Sequence, residues 1–243
     1  MPAGNPKLDS DALSTGGIAV VVGSSGGIGS ALQERLSAQS RFSAVLGLGR
    51  TSSPPLDLTD EASIAAAARH VGALGVNVRL IIDASGSLHG DGLSPEKSWR
   101  DLDAAQMARA FAVNAIGPAL LMKHFLPLLP RQGRSVFATL SARVGSIGDN
   151  RLGGWYSYRA SKAALNQFVR TAAIELGRRQ PAALCVALHP GTVGTSLSAP
   201  FVKAGLDVQT PEQAAERLLD VIDHLPPGCS GGFFDHRGDP VPW

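Results

Sequence analysis

Cysteine is scarce in this chain, at two among 243 residues. Cys185 lies in an apolar run, where a buried thiol is ordinary, and Cys229 lies in a Pro-Pro-Gly-Cys turn. Two isolated cysteines make neither a disulfide framework nor a metal site, and no histidine pair has ligand spacing. An excess of one charge is missing too: 22 basic and 20 acidic residues leave a net +2. There is no basic run of the kind that a phosphate backbone attracts, so nucleic acid is not an indicated partner. The adjacent pair Arg178-Arg179 sits where a helix is predicted to end, and there it complements the helix dipole. The first seventeen residues carry no cationic stretch followed by an apolar core, and no uninterrupted apolar run approaches bilayer length. The expectation is a protein of a reducing, cytoplasmic compartment with no signal peptide and no membrane partner.

What is present is a large apolar fraction, 44% hydrophobic against 17% charged, enough for one substantial core. The length fits one α/β domain. Residues 1–16, rich in Gly, Pro, Ser and Asp, read as a flexible lead, and 17–243 as a single domain. Short apolar runs at Ile18–Val22, Ala44–Leu48, Val78–Ile82, Ser135–Leu140, Leu184–Leu188 and Gly232–Phe234 read as strands. The clearest of them are apolar throughout, as strands buried on both faces of a parallel sheet are. Helical stretches alternate with them: Ser30–Ala38, Glu61–Val71 behind Asp60, two within Ala104–Leu129, Tyr156–Gly177 and Pro211–His224. Alternation with right-handed crossovers predicts a doubly wound parallel sheet with helices on both faces.

Between the first strand and the first helix stands Gly23-Ser24-Ser25-Gly26-Gly27-Ile28-Gly29. Gly23 lets the chain turn, Gly27 lets the backbone approach a pyrophosphate, and Gly29 lets the helix pack close to the sheet. The helix N-terminus then offers amide donors to phosphates. This loop resembles the cofactor loop of the short-chain dehydrogenases/reductases. Asp57-Leu58-Thr59-Asp60 resembles the segment whose Asp meets the adenine in that family. Asp83-Ala84-Ser85-Gly86 resembles its Asn-Asn-Ala-Gly, and Pro190-Gly191-Thr192-Val193 its Pro-Gly loop. The segment 153–166, Gly-Gly-Trp-Tyr-Ser-Tyr-Arg-Ala-Ser-Lys-Ala-Ala-Leu-Asn, is closest to the C-factor-like and sniffer-like carbonyl reductases. The resemblance implies a Rossmann fold and a dinucleotide touched by Gly23, Ser25, Gly27, Ile28, Gly29, Asp57, Leu58, Ala84, Ser85, Gly86, Asn114, Tyr158, Lys162, Pro190, Gly191, Val193 and Thr195.

Tyr158 and Lys162 are four apart on a predicted helix and so share one face. Hydride addition to a carbonyl leaves an alkoxide that needs a proton, and a phenol beside an ammonium is expected to have a lowered pKa. Tyr158 is then the acid in reduction and the base in oxidation. Tyr156 competes for the role but has no lysine four residues on. By the resemblance, Lys162 also holds the nicotinamide ribose, and Asn114 binds a water that relays protons to Lys162. A hydroxyl should polarise the carbonyl. Ser141 is the candidate, although family members show Ser-x-x-Gly and this chain shows Ser141-Ala142-Arg143-Val144-Gly145. Strict alignment on Gly145 points to Ala142, counting from Gly133-Arg134 points to Leu140, and Ser146 is the outside alternative.

An acid at the end of the second strand would bind a ribose hydroxyl and repel a 2′-phosphate. Arg50 stands there instead, followed by Thr51, Ser52 and Ser53, which favours NADP(H) over NAD(H). The loop 192–208, with Leu197, Phe201 and Val202, should cover the pocket and suggests an apolar carbonyl or alcohol substrate, with Phe233, Phe234 and Trp243 as further walls. The resemblance also implies a homodimer or homotetramer built on the long helix, through Ala163, Ala164, Asn166, Gln167, Arg170, Thr171 and Ile174. A non-catalytic NADP(H)-binding sensor of the same fold is the competing reading.

Overall fold

The computed structural model describes residues 13, 16–90, 94–201, 205 and 207–243. Six strands form one parallel sheet in the order β2-β1-β3-β4-β5-β6. They are β1 (Ile18–Val22), β2 (Ala44–Leu48), β3 (Val78–Asp83), β4 (Ser135–Leu140), β5 (Ala183–His189) and β6 (Phe233–Asp235). Every residue of β1 and β4 is buried, whereas β2 at one edge is mostly half-exposed. This is why the central strands read as unbroken apolar runs.

Alternate side chains go to opposite faces. Val20, Val22, Ile81, Phe137 and Cys185 pack with Ile64, Leu121, Phe125, Leu165 and Val169. Those partners lie on α2 (Glu61–Ala73), α4 (Gly117–Phe125) and α5 (Tyr156–Arg179). On the other face Ala19, Val21, Ile82, Val136 and Val186 pack with Leu32, Leu36, Leu218 and Ile222, from α1 (Gly27–Ser37) and α6 (Pro211–His224). Capping follows the sequence. The Asp60 carboxylate accepts from the Ala62 amide at the start of α2, and Thr210 with Gln213 forms a capping box on α6.

Two expectations change. Helix α3 (Ala104–Phe111) runs into α4 through a π-helical turn over Ala112–Ile116, so 104–128 is one helical run of 25 residues. By length and composition that run could cross a bilayer, contrary to the sequence reading. Here it is a core helix: Leu121, Met122 and Phe125 are buried against the sheet and its neighbours, and Asn114 is fully buried. The second change concerns the long helix. Asn166, expected on an exposed interface face, is 2% exposed, whereas Gln167, Arg170, Thr171 and Ile174 are exposed.

The strand order decides where the site lies. The chain leaves β1 for β2 on one side and returns to β3 on the other, so a crevice opens beyond the carboxyl ends of β1 and β3.

Candidate active site

The glycine segment fills this crevice. Gly23 takes φ +78°, and a Cβ there would lie 3.1 Å from the Ala84 carbonyl carbon at the end of β3. A Cβ on Gly29 would collide with the Gly23 carbonyl oxygen, so α1 approaches the strand end as only glycine allows. Helix α1 has no side-chain cap and no acid in its first turn. Its first amides therefore point into the crevice without a protein acceptor on the cap side, and they suit a phosphate. Thr195 comes from the opposite side: a Cβ on Gly27 would stand 2.9 Å from its Cγ2. Together these surfaces form a narrow cradle that fits a dinucleotide pyrophosphate.

Around the cradle, Ser25 and Arg50 are exposed. Arg50 follows β2, and its positive field helps hold the Asp57 carboxyl below its ordinary range, after the larger effect of the Thr59 backbone and side-chain hydrogen bonds. Asp57 accepts from the Thr59 amide at 2.8 Å and the Thr59 hydroxyl at 2.7 Å, so it braces its own turn. Leu58 lies against Gly117, where a Cβ would be 2.7 Å from the Leu58 Cβ. Val193 is buried and bridges to Gln209, whose amide donates to the Pro190 carbonyl at 3.1 Å. Gly191, at φ +80°, leaves no room for a side chain beside Gln209 and His236. Of the apolar loop candidates, Leu197 and Phe201 are part-buried, and Val202 lies outside the described residues.

Tyr158, Lys162 and Asn114 meet beside the Ser85-Gly86 segment. The Lys162 ammonium is 5.9 Å from the Tyr158 ring centroid and donates to the Leu140 carbonyl at 2.7 Å. A Cβ on Gly86 would be 3.5 Å from Asn114 Oδ1 and 3.6 Å from Lys162 Nζ. Asn114, in the π-turn, accepts from the Ser87 amide and donates to the Ser87 carbonyl, both at 2.8 Å, which ties the helix to the end of the β3 loop. The expected lowering of the phenol does not occur. Burial pushes Tyr158 up to about 12, and burial, opposed by Asp83, takes Lys162 down to about 8. Burial is the cause of the rise: the ammonium stands over the ring face and donates to the Leu140 carbonyl. The Tyr158 hydroxyl has no hydrogen-bond partner among the described residues, so its proton is free to be given.

Ser141 is not brought to this centre. Its hydroxyl donates to Asn166 Oδ1 at 2.7 Å, and both residues are buried. Asn166 is eight residues beyond Tyr158 on α5, about 12 Å down the helix axis, while the Tyr158 side chain tilts the opposite way, toward the helix N-terminus. Ser141 therefore braces β4 against α5. Ser146 is no substitute: its hydroxyl accepts from the Asp149 amide at 3.0 Å. Ala142, the alternative by strict alignment, is part-exposed in extended backbone at the end of β4.

A family model described as Enoyl-(Acyl carrier protein) reductase matches residues 27–220. The chain belongs to the short-chain dehydrogenase/reductase family. It is an oxidoreductase of that family by descent. The C-signal protein of Myxococcus xanthus is 42% identical over 59% of this chain and 82% of its own length. The 1-hydroxy-2-glutathionyl-2-methyl-3-butene dehydrogenase of Rhodococcus sp. strain AD45 is 34% identical over 80% of this chain and 81% of its own length. Among solved structures, NADPH-bound carbonyl reductase from chicken fatty liver superposes with a TM-score of 0.81 at 27% identity, covering 94% of this chain and all of the other. The Sniffer carbonyl reductase of Drosophila melanogaster shares the fold, with a TM-score of 0.79 at 20% identity over 94% of this chain and all of its own.

Within this short-chain dehydrogenase/reductase, three residues to which the sequence assigned no individual role shape the site. Glu96 is buried and accepts from the Ser157 hydroxyl and, at 3.1 Å, from the Ser157 amide, which caps the helix that carries Tyr158. Trp155, just before that helix, is held in the left-handed region at φ 54°, with its ring edge-on to both Tyr158 and Phe201. Asp83 is wholly buried at the end of β3. The position of Asp83 at a strand end was the one signal available. The roles of Glu96 and Trp155 come from contacts across the fold.

Proposed function

We propose that this chain is an NADP(H)-dependent reductase of aldehydes or ketones, with Tyr158 as proton donor. The observation that carries the reading is the Tyr158–Lys162 pair, set beside Asn114 at the crevice that the glycine cradle opens. The bound nicotinamide supplies the hydride. The chain does the rest. In this reading the α1 N-terminus, Gly27 and Thr195 hold the pyrophosphate, and the exposed Ser25 and Arg50 are the groups offered to a 2′-phosphate. Lys162 offers its ammonium to the ribose hydroxyls. Tyr158, neutral at every physiological pH because burial holds it near 12, gives its proton to the far more basic alkoxide that forms on the substrate. Trp155 and Phe201 supply an apolar wall, which suits a hydrophobic carbonyl compound.

The experiment is NADPH oxidation against a panel of aldehydes, ketones and diketones, for wild type and Tyr158→Phe. The variant is expected to lose nearly all turnover while binding NADPH normally. Substantial turnover by the variant would remove Tyr158 from the role. The 42% identity to a protein named C-signal supports a second reading, a nucleotide-binding signalling protein. Saturable NADPH binding with no turnover on any panel member would favour it.

A further inference from the structure

Three successive residues before α5 take positive φ: Gly153 at 63°, Gly154 at 64° and Trp155 at 54°. The two glycines adopt such angles freely, and a tryptophan does not. Trp155 is also the residue that opens α5, and it makes no side-chain cap there. A non-glycine backbone held this way persists only where its surroundings fix it. Two side chains do so. Arg159, in the first turns of α5, reaches back to the carbonyls of Gly154 at 2.9 Å and Gly153 at 3.1 Å. Glu96, buried, comes from the segment between β3 and α3. Its backbone carbonyl accepts from the Trp155 amide at 2.5 Å. Its carboxylate accepts from the Ser157 amide at 3.1 Å and from the Ser157 hydroxyl. The segment that carries Glu96 is itself braced, since the Asp101 carboxylate accepts from the Lys97 amide at 3.1 Å and the Ser98 amide at 2.9 Å.

We propose that Glu96 is a positioning residue: through Trp155 and Ser157 it sets the first turn of α5 and so aims the Tyr158 side chain. The link is direct, because Tyr158 follows Ser157 in the chain and the backbone of that turn fixes the direction of its Cα–Cβ bond. Packing does less on this side of the ring. Tyr158 lines a cavity of about 20 Å³ together with Glu96, Ser157 and Gln106. Close packing is interrupted there, so the backbone anchor carries more of the aim. The helix strengthens the anchor. Its first amides lack partners within the helix, and a carboxylate placed on them meets the positive end of the dipole. The first turn of α5 holds no acid of its own, so Glu96 supplies one from 61 residues upstream of Ser157. The same turn carries Trp155, whose ring lies edge-on to Tyr158, so the apolar wall and the phenol are placed by one anchor.

The activity arm of this inference rests on Tyr158 as proton donor, but the spectroscopic arm does not. The chain has two tyrosines, Tyr156 and Tyr158. Ring-labelled 13C-tyrosine therefore allows Tyr158 to be followed by NMR, assigned by its loss in Tyr158→Phe. Glu96→Gln keeps the shape and one acceptor, and turns the other oxygen into a donor that faces a donor. In this variant, without cofactor or substrate, the Tyr158 signal should shift or split. In turnover, kcat should fall by about tenfold to a hundredfold, as a misplacement of about 1 Å can cost that much. The KM for NADPH should hold, because the glycine cradle is untouched. Asp103→Ala removes the side-chain cap of α3 and serves as the control for lost stability; it should move neither reading. An unmoved Tyr158 signal in folded Glu96→Gln overturns the proposal. So does an undiminished kcat where the wild type is active, or a control that moves both readings as far. If Glu96→Gln does not fold, Ser157→Ala, which removes only the hydroxyl partner, takes its place, with the same shift expected and the same refutation by an unmoved signal. A wild type with no turnover would end the reductase reading and leave the Tyr158 signal to decide this one.

Discussion

Replacing Ser141 with alanine separates a brace from a catalyst. The Ser141 hydroxyl donates to Asn166 at 2.7 Å, with the two residues 3% and 2% exposed. The Asn166 Nδ2 already has no partner. Ser141→Ala therefore leaves the Asn166 carboxamide, 2% exposed, without a protein hydrogen-bond partner among the described residues. Such a loss costs about 1–3 kcal/mol. For a chain of this size each kcal/mol lowers the midpoint of unfolding by about 2–4 °C, so the variant should melt roughly 2–12 °C below wild type. Turnover should stay within a few-fold, because the hydroxyl sits about two helical turns from Tyr158. A hydroxyl that stabilised the developing alkoxide would behave otherwise: its removal costs on the order of a hundredfold or more in kcat, with little effect on stability. Calorimetry and NADPH oxidation on the same preparation read both numbers. A hundredfold fall in kcat with an unmoved melting curve would refute the structural argument and return Ser141 to the catalytic centre. Asn166→Leu, which removes the orphaned amide, should recover much of the stability lost in Ser141→Ala.

Two further outcomes follow from the geometry. Arg50→Asp removes the exposed guanidinium after β2 and puts an acid where a 2′-phosphate would sit. The ratio of NADPH to NADH efficiency should fall by about tenfold or more, since a charge-assisted hydrogen bond is worth roughly 1.5–3 kcal/mol, and an unchanged ratio would show that Arg50 does not read the phosphate. His189 is held neutral, from 6.5 down to about 4, first by burial and then by Arg143 and His236. The unfolded chain takes up that proton near 6.5 and the folded chain only near 4, so this contribution to stability is present above 6.5 and is lost as pH falls toward 4. His189→Gln should flatten the fall of the melting midpoint across that window, and melting curves that fall in parallel for the two proteins would contradict the assignment.

The sequence by itself determined the layered architecture. Unbroken apolar runs alternating with helical stretches leave a parallel sheet little choice, because only strands covered on both faces tolerate such composition. It also determined the cradle. Gly23 and Gly29 were legible because no other residue fits a left-handed turn and a helix that touches a backbone carbonyl. Tyr158 and Lys162 were legible because spacing of four on a helix fixes a common face. Tertiary structure decided what spacing cannot encode. The face on which Ser141 emerges depends on where β4 ends, and one residue reverses it. The proton affinity of Tyr158 depends on how deeply it is buried, which overrides the cation that the sequence places beside it. Asp83 and Glu96 gain their meaning from partners 56 and 61 residues away, Thr139 and Ser157. Hydrogen bonds of that span are created by the fold, and no local pattern announces them.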